Sequence, residues 1–243
     1  MNYLFFALVL LLCSCQSPPK PTLADTMATA LLNIELIDTF DNELRLDTAS
    51  HISDADFHTI YIGMPKDSIV LSYRWQETIY SDSEFFRKRM TRNTPPMRIY
   101  VDTTQIIGVM SRFALPAPTG CEKMYDQQGL WIYRKPIKAY PIFIKNLLDT
   151  DTIRVGYGYF LSLLIEAKDS IGNWRPIQKP YQYSCGTGMT YLHLLPKEIL
   201  VTNCPLFEGD FKTTLRVVHQ YKSLYPSNEF SGTINYNQFN TQD

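Results

Sequence analysis

Short runs of alternating apolar and polar residues, broken by turn signals about every ten positions, constrain the fold of this chain more than any other feature. Leu161, Leu163, Ile165 and Ala167 alternate with Ser162, Leu164, Glu166 and Lys168, the period of two that sends successive side chains to opposite faces of a strand. The same reading predicts strands at 32–36, 59–62, 69–75, 99–101, 141–145, 153–157, 191–195, 199–202, 215–219 and 231–234. Reversals between them carry Gly63, Pro65 and Asp67, then Asp149 and Asp151, then Asp169 to Asn173, residue types whose backbone preferences suit tight turns. Ser81 and Glu84 fit an S-x-x-E capping box, which predicts one short helix before Pro95 and Pro96. The fold class that follows is mainly β. An antiparallel β-sandwich is expected over 131–243, preceded by a smaller β-rich domain over 31–115 that carries the helix. Pro116, Pro118, Gly120 and Gly129 mark a linker at 116–130. Strand 153–157 is expected to be the partner of 141–145, and Leu195 to Glu198 to turn 189–195 back toward 199–203.

The chain begins with an address. Every residue from Leu4 to Leu12 is apolar, a run shorter than the roughly 20 residues of a membrane-spanning helix and suited to the core of an export signal. Leu12-Cys13-Ser14-Cys15 resembles the lipobox of bacterial lipoproteins, although no Lys or Arg precedes the apolar run. The resemblance implies a signal peptide over 1–14, cleavage before Cys15, acylation of Cys15 and membrane attachment through it. Residues 15–30, rich in Pro, Thr and Ala, then read as a tether. Gln16 in place of Asp favours the outer membrane by the same resemblance. The absence of an acidic run just after Cys15 favours its periplasmic side and leaves surface exposure open. Gly209 to Val217 resembles the entry into strand F of immunoglobulin-like domains, with Phe211 where a tyrosine corner has Tyr, and this makes the C-terminal sandwich immunoglobulin-like in expectation. The wider pattern of lipobox and Tyr-rich strands resembles β-sandwich lipoproteins of Bacteroidota-type bacteria.

Chemistry is sparse. A net charge of −1 argues against a nucleic-acid partner. Eight acids lie between Asp25 and Asp56 against Arg45 alone, and five bases without an acid lie between Arg87 and Arg98. These segments are either solvated faces that neutralise each other or, for the basic one, a patch for lipopolysaccharide phosphates or an acidic glycan. No zinc-protease, nucleophile-elbow, P-loop or dinucleotide motif occurs, and no Cys, His or acid spacing points to a metal or cofactor. Asp149 and Asp151 read as turn residues rather than calcium ligands. Acylation of Cys15 leaves Cys121, Cys185 and Cys204. The preferred disulfide is Cys185 with Cys204, the alternative being three free thiols. Cys185 is also the one nucleophile candidate, with His193 or His219 as its base, although both histidines read as ordinary sheet residues. Tyr157, Tyr159, Tyr181 and Tyr183 are the candidate ligand-binding residues, since flat rings with polar tips suit sugar or protein contacts. The expected function is therefore non-catalytic binding or assembly at the outer membrane with a protein or glycan partner. Glycan capture beside an uptake system and hydrolysis through Cys185 are the alternatives.

Overall fold

The computed structural model describes residues 33–37, 57, 59–71, 97–113, 122–125, 131–157, 160–179, 191–220 and 226–240. Residues 1–33 form one unit and residues 34–243 another. The expected helix at 81–90, the tether and Cys15 lie outside the described residues. Within the second unit the strands are β1 (Glu35–Ile37), β2 (Tyr61–Gly63), β3 (Ser68–Val70), β4 (Met97–Val101), β5 (Ile107–Phe113), β6 (Glu122–Tyr125), β7 (Trp131–Asn146), β8 (Ile153–Tyr157), β9 (Phe160–Leu161), β10 (Leu163–Lys168), β11 (Trp174–Pro176), β12 (Tyr191–Leu194), β13 (Ile199–Pro205), β14 (Phe211–His219) and β15 (Phe230–Ile234). A 3-10 helix, Tyr236–Asn240, follows β15. The body is mainly β and its sheets are antiparallel apart from the β1–β3 pair.

The largest sheet is built on β7, which runs for 16 residues. Ala139 is the register partner of both Ile107 and Pro205, so β5 and β13 flank it on opposite edges. Arg134 is likewise shared by Arg112 and Glu122, so β6 lies along the same edge as β13. One edge of β7 thus carries β4 and then β5, the other β13 and then β6, with β2 outside β13. Residues 102–106 leave the first line where Pro141 stands in β7. Asp102 N–H still reaches the Pro141 carbonyl at 3.0 Å. Because the N–H and C=O of one strand residue point to the same edge, the proton that proline lacks would have faced this gap.

This arrangement corrects the expected domain boundary. Strands from 61–63, 97–101, 107–113 and 122–125 all join the sheet of β7 and β13. Residues 131–243 are therefore not a separate sandwich, and 116–130 contains a strand rather than only a linker. Two expected hairpins are also replaced. β7 pairs β13 rather than β8, while β12 pairs β8, whose other neighbour is β9. The reversals at 147–152 and 195–198 exist, but each carries the chain from one sheet to another.

Burial follows from this layering. All seven residues of β13 are buried, which requires cover on both faces of the sheet. β10 keeps its expected alternation, with Leu163, Ile165 and Ala167 buried and Leu164, Glu166 and Lys168 half-buried. It lies in a four-stranded sheet of order β11-β10-β14-β15. At the entry to β14, Phe211 meets the rings of Tyr236 at 5.1 Å and Phe239 at 6.2 Å. The position that would hold a tyrosine-corner hydroxyl is thus part of an aromatic cluster under the 3-10 helix.

Side-chain amides stitch the sheets together. Asn146, fully buried, donates from Nδ2 to the carbonyls of Asp151 (2.8 Å), Leu194 (3.0 Å) and Leu195 (2.9 Å). Its Oδ1 accepts from Leu148 N–H at 3.0 Å, so one side chain pins both inter-sheet reversals. Asn228 pairs with both backbone groups of Val101 at 2.8 and 3.0 Å. The neighbouring Ser227 bonds Val217, tying β4 to β14. On the excursion, Gln105 accepts from Leu36 N–H and donates to the Ile34 carbonyl, both at 3.1 Å. Asp102 orients that amide at 2.8 Å.

Candidate functional site

The face of β8 and β12 opposite their buried side chains carries Arg154, Tyr191 and His193. On β12, Leu192 and Leu194 are buried while Tyr191 and His193 are half-buried, as a period of two requires. On β8, the partners of Tyr191, Leu192, His193 and Leu194 are Tyr157, Gly156, Arg154 and Ile153. Val155 is therefore an extra residue, the mark of a β-bulge. Val155 and Gly156 are both buried and Arg154 is exposed. The bulge brings Arg154 opposite His193.

The Arg154 guanidinium lies 4.8 Å from the centroid of the Tyr191 ring, within the range of a cation–π contact. His193 meets the same ring edge-on at 6.3 Å. Burial, and secondarily the Arg154 charge, lower the His193 pKa from its ordinary value. Its imidazole is thus held neutral at neutral pH. The unfolded chain takes up this proton near pH 6.5 and the folded chain only at lower pH. Stability is therefore lost as pH falls through the unfolded value toward the folded one. A His193→Gln variant should lose less stability than the wild type between about pH 7.5 and about pH 5. Paired thermal melts at the two pH values check this, and identical pH responses would refute it.

The other sequence candidates distribute differently. Tyr157 is described through its backbone, as the register partner of Tyr191. Tyr159, Tyr181, Tyr183, Cys121 and Cys185 lie outside the described residues. Cys204 is a free thiol, fully buried in β13 beside the register position of Tyr140; its expected partner Cys185 lies outside the described residues. Burial pushes its pKa far up, so it is a small apolar filling rather than a nucleophile. His219 is buried at the end of β14 opposite Leu163, in a different sheet from His193. Asp149 pairs with Lys197 at 2.7 Å and the Asp151 carbonyl serves Asn146. Among the described residues no group of three or more His, Cys, Asp or Glu side chains could hold a metal ion.

A second polar face occurs on the β10–β14 sheet. There the Trp174 ring lies 4.1 Å from the Arg216 guanidinium and 4.8 Å from Lys168. Arg216 pairs with Glu166 at 2.7 Å, and Lys168 with Glu229 at 2.9 Å. Opposite charges match within this face, which suits a solvated structural ladder.

The reading by residue type named Tyr157, Tyr159, Tyr181 and Tyr183 and missed both Tyr191 and Arg154. Tyr191 and His193 could have been grouped by their spacing of two. Nothing in the sequence announces the bulge that selects Arg154. No protein-family model, no curated protein and no solved structure matches this chain.

Proposed function

We propose that this chain is a lipoprotein, anchored through Cys15 in the outer membrane and facing the periplasm, whose β body acts as a non-catalytic binding module. Its contact surface is the outward face of β8 and β12. The observation that carries this reading is the exposed Arg154 guanidinium placed over the Tyr191 ring, 4.8 Å from its centroid, beside His193. The group stands on paired strands, and a rigid platform loses little entropy when a ligand docks. The buried, protonated state of the Cys204 thiol favours binding over thiol chemistry at that residue. The lipobox-like Leu12-Cys13-Ser14-Cys15 supports the anchor.

Two measurements test the halves of the proposal. A palmitate analogue should label the wild type in cells and leave Cys15→Ala unlabelled. Label on the variant would remove the anchor. On a glycan array, Tyr191→Ala should lower the signal about tenfold or more, the order expected when a stacked aromatic contact is lost, while its melt stays close to that of the wild type. Binding that ignores the substitution would remove the β8–β12 face from the proposal.

A further inference from the structure

We infer that Arg98 and Lys145, cross-strand partners on β4 and β7, form a site for a dianionic phosphate group, free or carried on a small ester. The site stands on a different sheet from the β8–β12 face. Partners in an antiparallel pair share a face with their Cβ atoms about 5 Å apart, and like charges so placed repel. Both side chains are half-buried. Two residues along the same face lie Phe143 and its register partner Val201, both fully buried, so water cannot screen the pair from that side. Burial, and secondarily the charge of Lys197, lower the Lys145 pKa from its ordinary value, which puts a third cation within electrostatic reach.

Among the described residues the side chains of Arg98 and Lys145 have no ion-pair or hydrogen-bond partner. The acids of the adjoining segments are engaged elsewhere. Asp149 pairs with Lys197 at 2.7 Å, Glu198 accepts from Leu195 N–H at 2.8 Å, and Asp102 accepts from Thr104 and Gln105. The β10–β14 sheet supplies the contrast, since its cross-strand pair Glu166 and Arg216 is of opposite charge. Two uncompensated cations side by side carry a cost that a bound anion removes. Arginine offers a planar fork of donors and lysine a compact point charge, a combination suited to the several oxygens and two charges of a phosphate. At Lys145, β7 is paired on both edges, by Arg98 and Ile199, so the backbone under the site is fixed before a ligand arrives.

The test is titration calorimetry on the intact mature protein at about pH 8, where a phosphate group carries two charges, with inorganic phosphate, glucose 1-phosphate and acetate at one ionic strength. Each phosphate should bind about tenfold or more tightly than acetate, and the tighter of the two tells a free ion from an ester. Arg98→Gln and Lys145→Gln should each lower phosphate affinity about tenfold or more. Lys212→Gln, which removes an exposed charge from β14, should leave it unchanged. Without ligand, Arg98→Gln and Lys145→Gln should melt at or above the wild-type temperature, because the repulsion is relieved. Should Lys145→Gln melt early, Lys145→Met, which keeps the apolar stem, takes its place in the titration. Acetate binding as tightly as the phosphates would overturn the dianion. An equal loss in Lys212→Gln would assign the binding to net charge and overturn the site, and binding of neither phosphate would overturn the inference altogether while leaving the β8–β12 face untouched.

Discussion

Gly209→Ala should lower the unfolding free energy by about 3 kcal/mol, because an added methyl would have to enter occupied backbone space rather than a yielding side chain. A Cβ at Gly209 would fall on the peptide joining Ile234 to Asn235, against the carbonyl carbon and oxygen of one and the nitrogen of the other. Relief would require the segment before β14 to move away from the end of β15. That movement would strain the Phe211–Ile234 register pair and the ring cluster of Phe211, Tyr236 and Phe239. Gly172 supplies the contrast. A Cβ there meets nothing within 4 Å, but its φ of +88° lies where an L side chain is strained. Gly172→Ala should therefore cost only about 1 kcal/mol. Urea unfolding of the two variants beside the wild type measures both effects. A Gly209→Ala midpoint equal to that of the wild type would show that the two segments do not approach as described.

Asn146→Leu is the second large effect. Leucine approximates the volume of the amide but leaves the buried Leu194 carbonyl without its donor and takes a partner from the part-buried Asp151 and Leu195 carbonyls and Leu148 N–H. An unsatisfied buried group costs about 1–3 kcal/mol and water can reach the part-buried ones, so a net loss of about 3 kcal/mol is expected. Asn146→Asp separates the chemistry from the packing. Its carboxylate keeps an acceptor for Leu148 N–H but faces three carbonyl oxygens, so its folded-state pKa is raised. A raised carboxyl pKa makes the folded state bind the proton more tightly than the unfolded chain. The deficit of this variant should therefore shrink as pH falls toward and below the ordinary Asp value, once the carboxyl can donate one bond. Urea midpoints at neutral and acidic pH, each compared with the wild type, read this out. A constant deficit at both would mean that Asn146 acts through shape alone.

Both sites show what residue patterning can and cannot carry. The alternation of Leu161 to Ala167, the strand positions after 141 and the reversals at 146–152, 169–173 and 195–198 were legible because they are local. They depend on which face a side chain takes and on which residues tolerate a turn. The candidate site was legible only as a taste for tyrosine around 157. Arg154 enters through a bulge, and Cys204 is removed from chemistry by a sheet that buries both its faces.

The sequence by itself determined that the chain is mainly β and where most strands run, since a period of two needs no knowledge of neighbours. Only the tertiary structure decided which strands lie side by side. Backbone N–H and C=O groups are the same at every residue, so a strand edge accepts any partner of suitable register. The choice of β4 and β13 as neighbours of β7 goes with burial of both faces of residues 141–144 of that strand. It also rests on a buried asparagine that satisfies two reversals from one position. Those contacts join residues up to 49 positions apart, a distance over which local patterning carries no signal.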